Sequence, residues 1–184
     1  FAVHSSFQMK DSTLNKYNLK NKGKYQKNAG LAAMTEDLDD GLGIILQNLK
    51  NLEIEDNTYI IYISDNGSVP NVPGAKKYTY SYNYPLSRGK WDAMEGGIRI
   101  PFIISGPRIN GNEQCDLPVS CCDLLPTIMS LVSSNYEIPP DIDGGSLKSI
   151  LMGNENGEIE RSVNGIFFHV PYRNKIALNR PHSA

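Results

Sequence analysis

Apolar residues recur at steps of three and four between residues 31 and 49, and this period predicts an amphipathic helix. The apolar positions of the series are Leu31, Met34, Leu38, Leu42, Ile45 and Leu49. Carboxylates occur between them at Glu36, Asp37, Asp39 and Asp40. Because the carboxylates alternate with apolar partners at helical spacing, they are expected to line the solvated face of the helix and not to form a metal site.

Continuous runs of β-prone residues predict three strands. Residues 58–63 (TYIIYI) form the first run, which lacks alternation and is therefore typical of a strand buried on both faces of a parallel sheet. Residues 98–105 (IRIPFIIS) and 163–170 form the other two. Residues 64–89 follow no period and are rich in Gly, Pro, Ser and Asn. A long loop is predicted there, and long loops in compact domains are often functional.

Helices are predicted on both sides of these strands. Residues 10–28, rich in Lys and Asn, indicate a solvated helix and loop. Ser120 and Asp123 fit a capping box at the start of a helix over residues 124–132. A further short helix is expected over residues 146–152. Strands that alternate with helices indicate an α/β layered sheet.

The chain's 184 residues fit one domain or slightly more, and the net charge of −2 gives no reason to expect nucleic acid or an anionic membrane as a partner. No apolar run is long enough to span a bilayer. The first residue is Phe and no signal-peptide pattern follows it, so a processed chain or an excised piece is expected. The cysteines, Cys115, Cys121 and Cys122, include no C-x-x-C pair. Structural zinc is therefore not expected, and the cysteines are interpreted as small core residues.

The first predicted strand is followed by Asp65, Asn66 and Gly67. In open α/β sheets, ligands bind beyond the carboxyl ends of strands. Carboxylate and amide oxygens are ligands that Ca²⁺ and Mg²⁺ accept. Asp-Asn-Gly is also a common turn tripeptide, so this stretch by itself leaves a cation site and a plain turn both open.

A second stretch, GKWDAMEGGIRIP over residues 89–101, makes the pattern specific. The Asp-Asn-Gly strand end, followed by Gly-Lys, a short spacer and Glu-Gly-Gly-x-Arg-x-Pro, resembles the sulfatase family of the alkaline-phosphatase-like superfamily. The resemblance implies a partial alkaline-phosphatase-like layered sheet with helices on both faces. It also implies that residues 1–153 are the C-terminal portion of the catalytic domain, and that residues 154–184 are a linker and the beginning of a small C-terminal α+β subdomain.

Carried over residue by residue, the resemblance implies four roles. Asp65 and Asn66 would bind a divalent cation, Ca²⁺ or Mg²⁺, with Ca²⁺ usual in the family. Lys90 would contact the sulfate group of the substrate, a sulfated small molecule or glycan. His4 would face the same sulfate and assist the leaving group. Family analogy also implies a periplasmic, secreted or lysosomal location.

The chain departs from the family pattern in two places. The family's nucleophile is a formylglycine, made from Cys or Ser in a (Cys/Ser)-x-Pro-x-Arg signature, and the chain contains no such signature. The paired aspartates of the family's first strand are also missing. A fragment with half a metal site and no activity of its own is therefore expected. Exposed sheet edges would favour its self-association.

Two other functions and several side chains stay open. The chain is alternatively a phosphomonoesterase or phosphonate hydrolase of the same superfamily, or a non-catalytic binding or structural module. The tyrosines at alternate positions are either a wall for a sugar ring or a packed hairpin face: Tyr78, Tyr80, Tyr82 and Tyr84. Structural roles are expected for His169 and His182. The residues expected to shape the second motif's loop are Glu95, Gly96, Gly97 and Arg99.

Overall fold

The chain folds into five helices and two strands within the residues that the computed structural model describes, which are 3–4, 6–69, 83–133, 135, 137, 139–154 and 157–169. The helices are α1 (Asp11–Leu19), α2 (Ala29–Asn51), α3 (Glu95–Ile98), α4 (Leu124–Val132) and α5 (Lys148–Leu151). The strands are β1 (Ile60–Ile63) and β2 (Phe102–Ser105), and 3₁₀ turns occupy Glu55–Asn57 and Cys121–Asp123. None of the helices in these ranges has the length and apolar character needed to cross a membrane.

The two strands pair antiparallel, with Ile60 opposite Ser105 and Ile63 opposite Phe102. The mixed helix and strand class predicted from the sequence is confirmed, but the expectation of a parallel sheet is wrong for this pair. A continuous apolar run indicates that a strand is buried, but it does not determine the direction in which the strand pairs with its neighbour. All four residues of β1 are only partly buried, so burial of this strand on both faces is also not observed.

Two of the predicted strands need correction. The second strand starts at Phe102, because Ile98 closes the helical turn α3 and Pro101 has no N–H to donate to a ladder. The strand predicted over residues 163–170 is wrong for its described part. There the backbone forms bends over residues 162–165 and a single bridge at His169.

Helix α1 packs against the acidic side of α2. Lys16 Nζ lies 2.6 Å from Glu36 Oε1, and the Thr13 hydroxyl donates to Asp37 Oδ1 at 2.7 Å. The backbone N–H of Lys10, helped by that hydroxyl, lowers the pKa of Asp37. The expectation of a purely solvated acidic face therefore needs correction. Glu36 and Asp37 hold α1, and Asp40 pairs with Lys10 Nζ at 2.8 Å, whereas Asp39 is exposed.

The apolar side chains of α2 are buried most deeply in the first half of the helix. Met34 is 2% exposed, whereas Ile44 and Ile45 are 63% and 58% exposed. The interpretation of the cysteines as core residues is wrong, since Cys115, Cys121 and Cys122 are all exposed and free. In the 3₁₀ turn Cys121–Asp123 the buried residue is Asp123, so this turn packs through its carboxylate.

Asp123 connects three segments through its buried carboxylate. The capping box predicted with Ser120 is confirmed, and the Ser120 N–H donates to Asp123 Oδ2 at 2.7 Å. The Gly145 N–H donates to Oδ1 at 2.9 Å. Arg161 donates to both carboxylate oxygens, at 2.8 Å from Nε and 2.7 Å from Nη2. Burial raises the pKa of Asp123, but these hydrogen bonds outweigh it and hold the pKa below its usual value.

Asp123→Asn is expected to destabilise the fold by about 3 kcal/mol, because it leaves the Arg161 side chain, which is only 13% exposed, without its charge partner. The pH dependence follows from the lowered pKa. The carboxylate stabilises the wild type above the unfolded-state pKa, and this contribution disappears as the pH falls through the folded-state pKa. The Asn variant has no such contribution to lose. Urea unfolding between neutral and acidic pH measures both effects.

Glu95→Gln is the matched control, because the Arg99–Glu95 pair is 67% and 57% exposed. Removing an exposed pair should change the free energy of unfolding by less than about 1 kcal/mol. Equal losses for the two variants would contradict the role given to Asp123.

Candidate functional site

Asp65 and Asn66 stand directly beyond the end of β1, as the sequence predicts. Asp65 is exposed and Asn66 is half-buried. The Ser64 hydroxyl donates to the Asn66 carbonyl at 2.9 Å, and Asn66 Nδ2 donates to the Gly67 carbonyl at 3.1 Å. The amide nitrogen of Asn66 therefore faces the backbone. Among the described residues, the carboxylate oxygens of Asp65 and the amide oxygen of Asn66 accept no hydrogen bond.

Three glycines bring the two sequence motifs into backbone contact. The Gly67 N–H donates to the Gly97 carbonyl at 2.9 Å. If Gly67 had a Cβ atom, it would lie 1.9 Å from the carbonyl oxygen of Gly96. A Cβ atom on Gly96 would lie 2.3 Å from the carbonyl oxygen of Arg88. The Lys90 N–H donates to the Ser68 carbonyl at 2.9 Å. The end of β1 and the loop of Lys90 are therefore one packed unit that a larger residue would separate.

Lys90 and His4 meet although 86 positions separate them in the sequence. Lys90 Nζ lies 3.3 Å from His4 Nε2. An ammonium has only donors, so in this contact the imidazole nitrogen is the acceptor. Lys90 is half-buried and His4 is exposed. The pair presents a cationic group and a proton-transfer group at one surface, adjacent to the loop that follows β1.

Arg88 and Asp92 flank Lys90 and form an ion pair through Arg88 Nε and Asp92 Oδ2. Asp92 is 4% exposed, and its Oδ1 accepts from the Met94 N–H at 2.9 Å. Arg88 has a backbone φ of 62°, which gives the loop its turn. This pair was not predicted from the sequence. Opposite charges four positions apart indicate an ion pair only within helices, and the loop around Lys90 is not helical at these positions.

The donor set beyond β1 fits part of a cation site. A carboxylate and an amide oxygen suit a hard ion such as Ca²⁺, which takes roughly six to eight oxygen ligands. In the part of the chain that the structure describes, no group of three His, Cys, Asp or Glu residues could hold a metal ion. Asp65 and Asn66 would thus hold such an ion only together with further ligands.

Of the remaining tyrosines and histidines considered in the sequence, only some lie within the residues that the structure describes. Tyr84 stacks on Tyr25, with ring centroids 3.9 Å apart and an interplanar angle of 27°. His169 is exposed. The candidates outside the described residues are Tyr78, Tyr80, Tyr82 and His182.

Comparison with known proteins gives concordant matches. The family model described as Sulfatase matches residues 3–134. Human steryl-sulfatase is 33% identical over 136 residues, covering 73% of this chain and 23% of that protein. Arylsulfatase K of Xenopus laevis is 30% identical over 131 residues, covering 71% of this chain and 22% of that protein. The chain thus spans less than a quarter of the length of these curated relatives.

A solved structure agrees with the sequence matches. The crystal structure of Ps i-CgsB in complex with k-i-k-neocarrahexaose superimposes with a TM-score of 0.68 at 32% sequence identity. The match covers 84% of this chain and 32% of that one. The arrangement of helices and strands is therefore shared with a larger fold of which this chain corresponds to about a third.

Gly96→Ala is expected to destabilise the chain by about 1–3 kcal/mol, because the added methyl overlaps the carbonyls of Ser87 and Arg88. Gly43→Ala is the control, since a Cβ there meets nothing within 4 Å. Alanine at an exposed helical position should stabilise by about 0.5–1 kcal/mol. Chemical denaturation measures both, and a stabilising Gly96→Ala would contradict the close packing.

Proposed function

The chain belongs to the sulfatase family, and from this premise we propose that it forms one side of an active site that hydrolyses sulfate monoesters. The observation that carries the proposal is the 3.3 Å contact between Lys90 Nζ and His4 Nε2. The Lys90 loop is hydrogen-bonded to the segment that follows Asp65 and Asn66. A cationic group, an imidazole and two oxygen donors are thus presented on adjacent loops.

The chemistry assigns a task to each side chain. Sulfate-ester cleavage builds negative charge on the transferring group and on the leaving oxygen. The Lys90 ammonium binds the sulfate oxygens and stabilises the first charge. His4 faces the same sulfate and assists the leaving oxygen by proton transfer, since imidazole is the side chain best suited to proton transfer near neutral pH. The Arg88–Asp92 pair fixes the loop and so orients Lys90.

Asp65 and Asn66 would hold a divalent cation, for which we propose Ca²⁺. When bound, such an ion withdraws charge from the sulfate oxygens. The 184 residues include no (Cys/Ser)-x-Pro-x-Arg signature, so the nucleophile of the proposed reaction is not one of them. We therefore expect no turnover by this chain alone. For the substrate we propose a sulfated carbohydrate, with support from the oligosaccharide bound in the solved neighbour.

Lys90→Ala is expected to weaken the binding of inorganic sulfate by about tenfold or more, because a charge-assisted hydrogen bond contributes about 1.5–3 kcal/mol. Titration calorimetry of the chain with sulfate measures this. Lys50→Ala is the control, since Lys50 is an exposed lysine at the far end of α2. Equal sulfate affinity of the Lys90 and Lys50 variants would contradict the assigned role.

Calcium titration tests the two oxygen donors. Weak Ca²⁺ binding is expected in the wild type and should be lost in both Asp65→Ala and Asn66→Ala, because each removes one of two ligands. Asp56→Ala removes an exposed carboxylate from the 3₁₀ turn and should leave the binding unchanged. Binding that survives in the Asp65 variant would place the ion elsewhere.

A further inference from the structure

Two residues of the N-terminal part of the chain, His4 and Tyr25, contact the segment that carries Lys90. His4 lies beside Lys90 Nζ, and Tyr25 stacks on the ring of Tyr84. Helix α1 lies between them and is fixed to α2 by its contacts with Glu36 and Asp37. His4 and Tyr25 therefore each contact the segment of residues 83–90, and helix α1 between them is fixed to α2.

The connection from Tyr84 to Lys90 runs through one carbonyl. Asn83, next to Tyr84, donates from Nδ2 to the Ser68 carbonyl at 2.9 Å. The same carbonyl accepts the Lys90 N–H at 2.9 Å. Asn83 Nδ2 also donates to the Arg88 carbonyl at 2.9 Å. The Tyr25–Tyr84 stack is thus tied to the loop that carries Lys90.

Residues 20–27 carry several positive charges and no carboxylate of their own. We call them the lysine-rich segment; they read KNKGKYQK and contain Lys20, Lys22, Lys24 and Lys27 but no Asp or Glu. All four lysines are exposed, and none has a carboxylate within 4 Å among the described residues. This contrasts with Lys16, which pairs with Glu36 at 2.6 Å. The segment's four positive charges stand out in a chain of net charge −2.

Aromatic rings support two of these ammonium groups. Lys24 Nζ lies 5.1 Å from the centre of the Tyr25 ring, and Lys20 Nζ lies 4.8 Å from that of Tyr17. Contact with a ring face positions an ammonium without neutralising its charge. Tyr84 remains 47% exposed in the stack, so an apolar surface accompanies the charges. Cationic groups beside an exposed aromatic ring suit a ligand that has both anionic groups and apolar ring faces.

We propose that the lysine-rich segment and the Tyr25–Tyr84 stack bind the neighbouring sulfated sugar units of a polysulfated glycan whose one sulfate group lies at Lys90. This inference rests on the proposed function and extends it to the substrate's class, a chain carrying several sulfates and not an isolated monosulfate ester. The lysines supply attraction to sulfates on either side of the reacting unit. The stack fixes the segment and provides the apolar contact.

The test is binding of a size-defined sulfated galactan hexasaccharide to the full chain, measured by titration calorimetry. The Lys22→Ala/Lys24→Ala/Lys27→Ala variant is expected to bind about tenfold more weakly, since each exposed charge pair contributes modestly. Affinity should also fall with added salt. Lys50→Ala is the control for loss of a distant lysine and should bind as the wild type does.

Variants of Tyr25 distinguish the contribution of the aromatic stack from that of the lysine charges. Tyr25→Ala keeps every lysine but removes the stack, and the affinity for the hexasaccharide should fall; Tyr25→Phe keeps the ring and should restore it. Weakened binding by Tyr25→Phe as well would overturn the role of the stack. Equal affinity for the desulfated hexasaccharide, equal affinity for a single-stranded DNA hexanucleotide, or no binding by the wild type would each overturn the proposal.

The two proposals fail in different ways. If the triple lysine variant binds the hexasaccharide as the wild type does while Lys90→Ala weakens its binding, the glycan surface is wrong and the proposed function stands. If the triple variant loses hexasaccharide affinity but Lys90→Ala leaves sulfate and hexasaccharide binding unchanged, the surface stands and the proposed function is wrong.

Discussion

The close backbone contact of Gly67 with Gly96 and Gly97 is the constraint on which the candidate site depends. Strand β1 delivers Asp65 and Asn66 to its carboxyl end, but a strand end alone is a turn. It becomes part of a site because the loop of Lys90 packs directly on it, with the Gly67 N–H donating to the Gly97 carbonyl. No side chain fits between these backbones, so the spacing of the two motifs in space is fixed by the absence of Cβ atoms.

Two buried carboxylates, Asp92 and Asp123, stabilise the chain in the same way. Asp92 pairs with Arg88 in the Lys90 loop, and Asp123 pairs with Arg161 at the start of α4. In each case the carboxylate also accepts a backbone N–H, from Met94 in the first and Ser120 in the second. Buried charges persist only when paired and hydrogen-bonded. The first pair fixes the loop that carries Lys90, and the second connects distant segments.

The surface of the chain is divided between an apolar and a charged part. The second half of α2 exposes Ile44 and Ile45, whereas the lysine-rich segment exposes its ammonium groups near the candidate site. Self-association through exposed edges stays a prediction, and so do the domain boundary after residue 153 and the location of the protein. The charged part is connected to the candidate site, because the Tyr25–Tyr84 stack and Asn83 link it to the loop of Lys90.

The sequence by itself determined several local elements and indicated the candidate site. The period of α2, the capping box of Ser120 and Asp123, and the two motifs are local patterns, and local patterns follow from spacing and side-chain type. Tertiary structure alone decided the antiparallel pairing of β1 with β2, the exposure of the cysteines, and the contacts of His4 with Lys90 and of Tyr25 with Tyr84. Those features depend on which distant segments pack together, and no local spacing encodes that. The glycines depend on both levels. Gly67 and Gly96 are recognised as parts of the sequence motifs, but only the folded backbone shows why no larger residue fits at these positions.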